Sequence, residues 1–250
     1  VSLVVGSGSV GAGGKVVATA GMTTGAPAGG SISLSTGYGT AKSSGTFSIH
    51  SDGAGSAGIS GALAFSTGTT SDGASGAISV RTGSATKGAG GSISIAVGAG
   101  DQGSGGRIQA IAGESSTKTG GAVSIVTGYG RATSSGTFSI RTAAAGAHGV
   151  SGAISLKSGD ASAGSSGHIM LRTGSANQGT GAQISIAVGS GELVNGGRIV
   201  VNAGQSTATS GGTICLVTGY GSIFSSGAFS VRTANAGSNG VSGAMYFSSG

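Results

Sequence analysis

The stretch GGSISLSTG at residues 29–37 contains the pattern that decides the predicted fold. It returns as SGAISVRTG at 75–83 and as GGSISIAVG at 90–98. Each copy places Ile, Leu or Val at alternating positions, which is the period of a β-strand with one buried face. A helix would instead need apolar residues repeatedly three and four positions apart. The pattern therefore predicts a short strand with glycine at both ends.

This unit repeats along the whole chain at a spacing of 15 or 16 residues. The tetrapeptide TGYG marks a longer period, because it occurs at 36–39, 127–130 and 218–221, and both spacings are 91. From Gly30 onward a shift of 91 aligns the chain with itself to its end without a gap. Six short units therefore make one super-repeat, and such a period indicates a repeat architecture.

Stacked short strands of this kind predict an all-β fold, a parallel β-solenoid (β-helix) of about 17 coils. We expect one continuous domain over 1–250, with a partial super-repeat copy at 1–29, copies at 30–120 and 121–211, and a partial copy at 212–250. Because neither end carries a polar or helical cap, we expect a segment of a longer chain or rods stacked end to end.

Glycine has two predicted uses in such a coil, since it adopts positive φ in turns and leaves room for a thin back wall. Three of the 16-residue units contain an extra apolar residue in the sequence G-[IV]-S-G, at Ile59, Val150 and Val241. We predict that this residue forms a bulge that fills space beside Phe47, Phe138 or Phe229.

The composition excludes several classes of protein. Of 250 residues, 57 are Gly and 45 are Ser, only 7% are charged and Pro occurs once, so collagen and an ordinary globular enzyme are both excluded. The net charge of +6 is spread along the chain without a cluster, which argues against nucleic-acid binding. No apolar run is long enough to span a membrane, and the single Cys215 forms no disulfide framework or cysteine metal site.

Basic side chains recur at one predicted outward position of the strands. Stacked like charges repel unless an anion lies among them, so this ladder is a candidate site for polysaccharide sulfate, carboxylate or phosphate groups. The alternative is that the side chains extend into water and keep the protein soluble. The candidate anion or glycan ladder comprises His50, Arg81, Arg141, Lys157, Arg172 and Arg232.

The same position is small or aliphatic in other units. An aligned row of outward aliphatic side chains is typical of a surface that packs against a neighbouring molecule, although single exposed aliphatics are common in soluble proteins. The candidate lateral association strip comprises Ala96, Ile111, Val126, Ala187 and Val217.

One aromatic residue occurs at the same turn of each super-repeat, at Tyr38, Tyr129 and Tyr220. These repeat-turn aromatics either stack on sugars, become cross-linked, or cover the backbone of the turn. Outward Ser and Thr form a second ladder that favours hydrogen bonding, glycosylation or, with the least support, ice binding.

No arrangement of residues for catalysis is present in the sequence. The three His residues lie in different units without matched carboxylates, and the six acids are spread over the chain. The paired or triple carboxylates that pectin-cleaving β-helices use are missing. The stretch GAGDQGSGG at 98–106 only imitates one calcium-binding nonapeptide. We therefore predict no enzyme, no cofactor and no metal.

The strings quoted at the start of this section resemble the long Gly/Ser-rich tandem-repeat proteins of diatoms and related algae, which are secreted or cell-surface proteins. The resemblance lies in the style of the repeat along the whole chain and brings over no catalytic or binding residue. It implies an extracellular or cell-surface structural role.

We therefore expect a structural protein that forms a filament or a matrix or surface fibre by coil stacking and end-to-end or lateral self-association. The alternative is a rod-like adhesin or a glycan- or anion-binding module that uses the Ser/Thr and Arg/Lys ladders, with ice binding less favoured. In that case the partner is a polysaccharide or another polyanion.

Overall fold

The structure is a computed structural model that describes residues 2–9, 12–25, 28–192 and 195–249. These residues form no helix and no strand, and consist of extended or irregular segments joined by bends and turns. The prediction of a parallel β-solenoid, or β-helix, is therefore wrong, and this described part of the chain is a coil without regular secondary structure. Within the same ranges no helix exists that has the length and apolarity to cross a bilayer.

The accessible surface area agrees with a chain that lacks a core. It is 24714 Å² for a mass of 22.9 kDa. A folded monomer of that mass exposes about 9,600 Å², and the fully unfolded chain about 33,000 Å². No hydrophobic side chain of the described residues is buried. The Ile, Leu, Val and Phe side chains that were predicted to fill a solenoid are therefore at least partly in solvent.

The chain divides into two units, Val1–Ile125 and Val126–Gly250, and each contains bends at the period of the sequence repeat. In the first unit they lie at 9, 24–25, 40–42, 71–73, 86–88, 101–103 and 116–118, with a turn at 56–57. In the second unit they lie at 131–133, 162–164, 177–179, 192, 207–209, 222–224 and 240, with turns at 147–148 and 238–239. Successive bends or turns are therefore separated by about the 15 or 16 residues of the sequence repeat.

Each bend lies within a loop whose two ends meet. In the loop 37–45 the amide of Gly45 donates to the carbonyl of Gly37 at 3.2 Å, and in the loop 113–121 Gly121 donates to Gly113 at 2.8 Å. Loops without this bond close in the same way, since a Cβ built on Gly91 would lie 3.3 Å from the Cβ of Thr82. Where Ala182 replaces the glycine, its carbonyl accepts from the hydroxyl of Thr173 at 3.4 Å.

Local loop closure explains why the solenoid does not form. In a solenoid coil, residues 37–45 would travel back along the preceding strand so that Gly45 lies one rung from Gly30. For a six-residue strand that return path is about 20 Å at roughly 3.3 Å per residue. The closing bond instead keeps Gly45 beside Gly37. The backbone hydrogen bonds of the described residues join positions three, eight or nine apart, and none joins positions one repeat apart.

At several positions glycine is required by close approach of the backbone, and not by positive φ. Only Gly73 among the described residues has a φ in the left-handed region, at 133°. A Cβ on Gly39 would lie 2.6 Å from the carbonyl oxygen of Lys42, and one on Gly221 would lie 2.7 Å from that of Phe224. Real Cβ atoms do not approach carbonyl oxygens this closely, so the last residue of TGYG has to be glycine.

The extra residue of the 16-residue units is accommodated in a tight turn. The amide of Gly58 donates to the carbonyl of Gly55 at 3.1 Å, and Gly149 and Gly240 repeat this bond with Gly146 and Gly237 at 3.2 Å. The side chain that follows each turn points into solvent, with 97% of Ile59 and 96% of Val150 exposed. The predicted bulge that fills space beside phenylalanine is therefore wrong.

Replacing Gly130 with Ala tests the close approach within a TGYG loop. A Cβ there would lie 2.8 Å from the carbonyl oxygen of Thr133 and would also meet that of Ser134. We expect the loop to open and the bond from Gly136 to Gly128 to weaken by about 1 kcal/mol, which speeds amide exchange at Gly136 about fivefold. Hydrogen exchange followed by NMR measures this change.

Gly128→Ala is the matched control, because a Cβ on Gly128 meets nothing within 4 Å. We expect exchange at Gly136 to keep its rate in this variant. Equal effects of the two substitutions would contradict the proposed close approach.

Candidate functional site

The basic side chains of the candidate ladder all lie in solvent. His50 and Arg81 belong to the first unit, and the other four belong to the second. The Lys157 ammonium forms an ion pair with the Asp160 carboxylate at 3.2 Å, with 71% and 90% of the two side chains exposed. No second ion pair occurs in the described part of the chain. Because successive repeats do not stack, these cations do not form rungs of one sheet.

The candidate association strip is also exposed. Ile111 is 77% exposed, Val126 87% and Val217 85%, and Ala96 and Ala187 are exposed as well. The first two members lie in the first unit and the last three in the second. Exposure does not distinguish the strip from the rest of the described chain, in which no hydrophobic side chain is buried, so its role in lateral association stays a prediction.

The three TGYG loops have one common geometry. Their closing bonds, from Gly45 to Gly37, from Gly136 to Gly128 and from Gly227 to Gly219, measure 3.2, 3.1 and 3.0 Å. The tyrosine side chain of each closed loop points into solvent, with exposed fractions of 88% for Tyr38, 86% for Tyr129 and 90% for Tyr220. The alternative that the aromatic ring covers the backbone of the turn is therefore wrong.

One loop carries an apolar cluster that the sequence reasoning missed. Ile223 is 84% exposed and Phe224 is 88% exposed, beside Tyr220 in the same loop. The corresponding positions hold Ala41 and Lys42 in the first copy and Ala132 and Thr133 in the second. The signal was available in the sequence, because this is the one TGYG loop in which both positions are large and apolar.

No arrangement for chemistry on a bound substrate is present among the described residues. No group of three or more His, Cys, Asp or Glu side chains lies together there in a way that could hold a metal ion. An open concavity of about 430 Å³ is lined by four consecutive residues, Arg232, Thr233, Ala234 and Asn235. Active sites usually combine residues from distant parts of the sequence, and this concavity does not.

Comparison with known proteins gives no relative from which a function can be transferred. No protein-family model, no curated protein and no solved structure matches the chain.

The ladder hypothesis is tested with matched sets of charge substitutions. It predicts that Arg141→Ser, Lys157→Ser and Arg172→Ser together weaken heparin binding more than Lys15→Ser, Lys42→Ser and Lys118→Ser together. Both sets remove three positive charges, so a general electrostatic attraction lowers the affinity and its salt dependence equally in both. Titration at several salt concentrations measures the difference. Equal losses, or no loss in either set, would contradict a specific ladder.

Proposed function

We propose that this chain is a structural repeat protein of an extracellular matrix or cell surface, whose copies associate through their exposed apolar side chains. The proposal does not include stacking of β-coils, because the described residues form no strand. It assigns the function to the repeated surface of the chain, with no enzymatic site.

The regular exposure of large apolar side chains is the observation that carries the proposal. At the first apolar position of the repeat, the exposed fraction ranges from 49% at Ile184 to 65% at Phe229. Complete burial of a side chain of this size stabilises by about 1.5–3 kcal/mol. Because none of these side chains is completely buried within the chain, contact with another copy can bury them further and gain part of this stabilisation.

The repetition of this surface favours an extended assembly over a closed dimer. Equivalent apolar segments recur at 15 or 16 residues, so one chain offers several similar contact surfaces. When an apolar segment of one copy contacts a different segment of the next copy, the same contact can be repeated by further copies. Such contacts form an open assembly unless the rotation between copies closes it into a ring. Charged residues make up only 7% of the chain, so mutual repulsion between copies is weak.

The extracellular location is supported by the resemblance in repeat style alone. The alternative function, a glycan- or anion-binding module, has less support, because no backbone hydrogen bond of the described residues joins successive repeats and the cations of its ladder are therefore not held as neighbouring rungs.

Introducing charge into the association strip tests the proposal. We expect wild-type protein to form larger species as its concentration rises. The double variant Ile111→Glu and Val126→Glu should form smaller species than the wild type at the same concentrations, because an unpaired carboxylate opposes apolar contact while the apolar segments of the other repeats stay available. Sedimentation velocity at about 0.15 M salt measures the size distribution, and this salt screens distant charges.

A control variant separates apolar contact from a change in net charge. Thr117→Glu and Ser135→Glu add the same two charges at exposed polar positions outside the strip. We expect this variant to assemble like the wild type. The proposal fails if the wild type is monomeric throughout, or if the strip variant and the control variant assemble equally well.

A further inference from the structure

We propose that Tyr38, Tyr129 and Tyr220 are the sites at which associated copies of this chain become covalently joined by oxidative coupling of their phenol rings. The inference rests on the proposed function, because coupling between chains needs copies that lie side by side. It assigns a modification chemistry to a loop that occurs once in each 91-residue super-repeat.

Each of these rings is presented in the same way. The loop is closed beneath it by the glycine-to-glycine hydrogen bond, at 3.2, 3.1 and 3.0 Å in the three copies. A glycine stands on both sides of every one of these tyrosines, as in Gly37 and Gly39 around Tyr38. With 86–90% of each side chain exposed, the carbon atoms beside the hydroxyl are open to another ring.

No side chain of the described residues is buried, so exposure alone does not single out these three tyrosines. They are distinguished by their recurrence at one position of the same closed loop. Aromatic rings contribute most when they are covered, so a partner that covers all three would stabilise an assembly. Sugar stacking is the alternative partner. A sugar site orients its ligand with a few convergent polar groups. The loops 37–45, 128–136 and 219–227 contain no Asp, Glu, Asn or Gln, and besides the tyrosine they share only two serines as polar side chains, because Lys42 and Arg131 each occur in one loop alone. A second phenol ring needs no such group, so the loops fit coupling better.

The reaction consumes one molecule of hydrogen peroxide for each link, with a haem peroxidase as the catalyst. Each of two phenol groups loses one electron and one proton, which yields two phenoxyl radicals, and the peroxide is reduced to two molecules of water. A carbon–carbon bond then forms between the ring positions beside the hydroxyls. The two hydrogens on those carbons move to the oxygens, so that both phenols are restored in the dityrosine product.

Tyr246 provides an internal comparison within the same chain. It is 90% exposed, like the loop tyrosines, but it lies between Met245 and Phe247 in an apolar segment. Assembly through the apolar segments would cover Tyr246 and leave the loops accessible. Exposure in the single chain therefore predicts equal reactivity of all four tyrosines, whereas the proposed assembly predicts that only the three loop tyrosines react.

The experiment treats assembled protein with a haem peroxidase and hydrogen peroxide, follows dityrosine fluorescence and maps the linked peptides by mass spectrometry. We expect the links to join Tyr38, Tyr129 and Tyr220, and Tyr246 to stay unmodified. The variant Tyr38→Phe, Tyr129→Phe and Tyr220→Phe keeps the rings and removes only the hydroxyls, and it should lose the covalent oligomers. Tyr246→Phe is the matched control and should keep them.

The inference is overturned if assembled wild-type protein forms no dityrosine, or if Tyr246 appears in the linked peptides as often as each loop tyrosine. Failure of the proposed function gives a different result. In that case sedimentation finds only monomer before peroxide is added, and the inference fails with it, whatever coupling the free chain then undergoes.

Discussion

The contact between the two ends of each loop is the constraint on which the rest of the structure depends. An amide at the start of one apolar segment donates to a carbonyl at the end of the preceding segment, as between Gly45 and Gly37. A side chain at Gly45 would come within 3.3 Å of the Cβ of Thr36, so the close approach favours glycine. Local closure of this kind involves nine or ten consecutive residues and needs no other part of the chain.

Loop closure decides the environment of the apolar side chains. Because the chain does not travel back along each segment, successive segments do not lie one above the other and cannot cover each other. Ile32 stays 55% exposed and Leu34 stays 73% exposed. Each repeat has only a few large apolar side chains whose burial could stabilise an ordered coil. Ordering its fifteen or so residues, many of them glycine, costs conformational entropy that this burial does not offset. The surface that remains open is the one to which we assign self-association.

The sequence predicted the period of the structure and the location of its loops correctly, because Gly and Ser recur where the chain bends. It did not predict which residues contact each other. The alternation in SISLS at 31–35 shows which side chains are equivalent, but a strand also needs a partner. A returning coil and a locally closed loop are both compatible with a glycine at Gly30 and again fifteen residues later at Gly45. The two folds differ only in the path of residues 37–45.

The candidate sites show the same division. The sequence pattern predicted that Val126 and Val217 would be exposed, but exposure does not distinguish them, because predicted inward residues such as Leu34 are exposed as well. The pairing of Lys157 with Asp160 depends on the local path of two flexible side chains around Gly159. The exposure of Tyr129 depends on the closed loop that contains it, in which the amide of Gly136 donates to the carbonyl of Gly128. Composition and period carry no information about either arrangement.

Hydrogen exchange of the dilute, monomeric chain, resolved residue by residue, tests the central claim most directly. Local closure predicts measurable protection at the loop-closing amides of Gly45, Gly121 and Gly227, and exchange close to the unfolded rate along apolar segments such as 31–35. Strong protection of Ile32, Phe47 and the equivalent residues of successive repeats would mean that the segments pair as a ladder, and it would contradict the account.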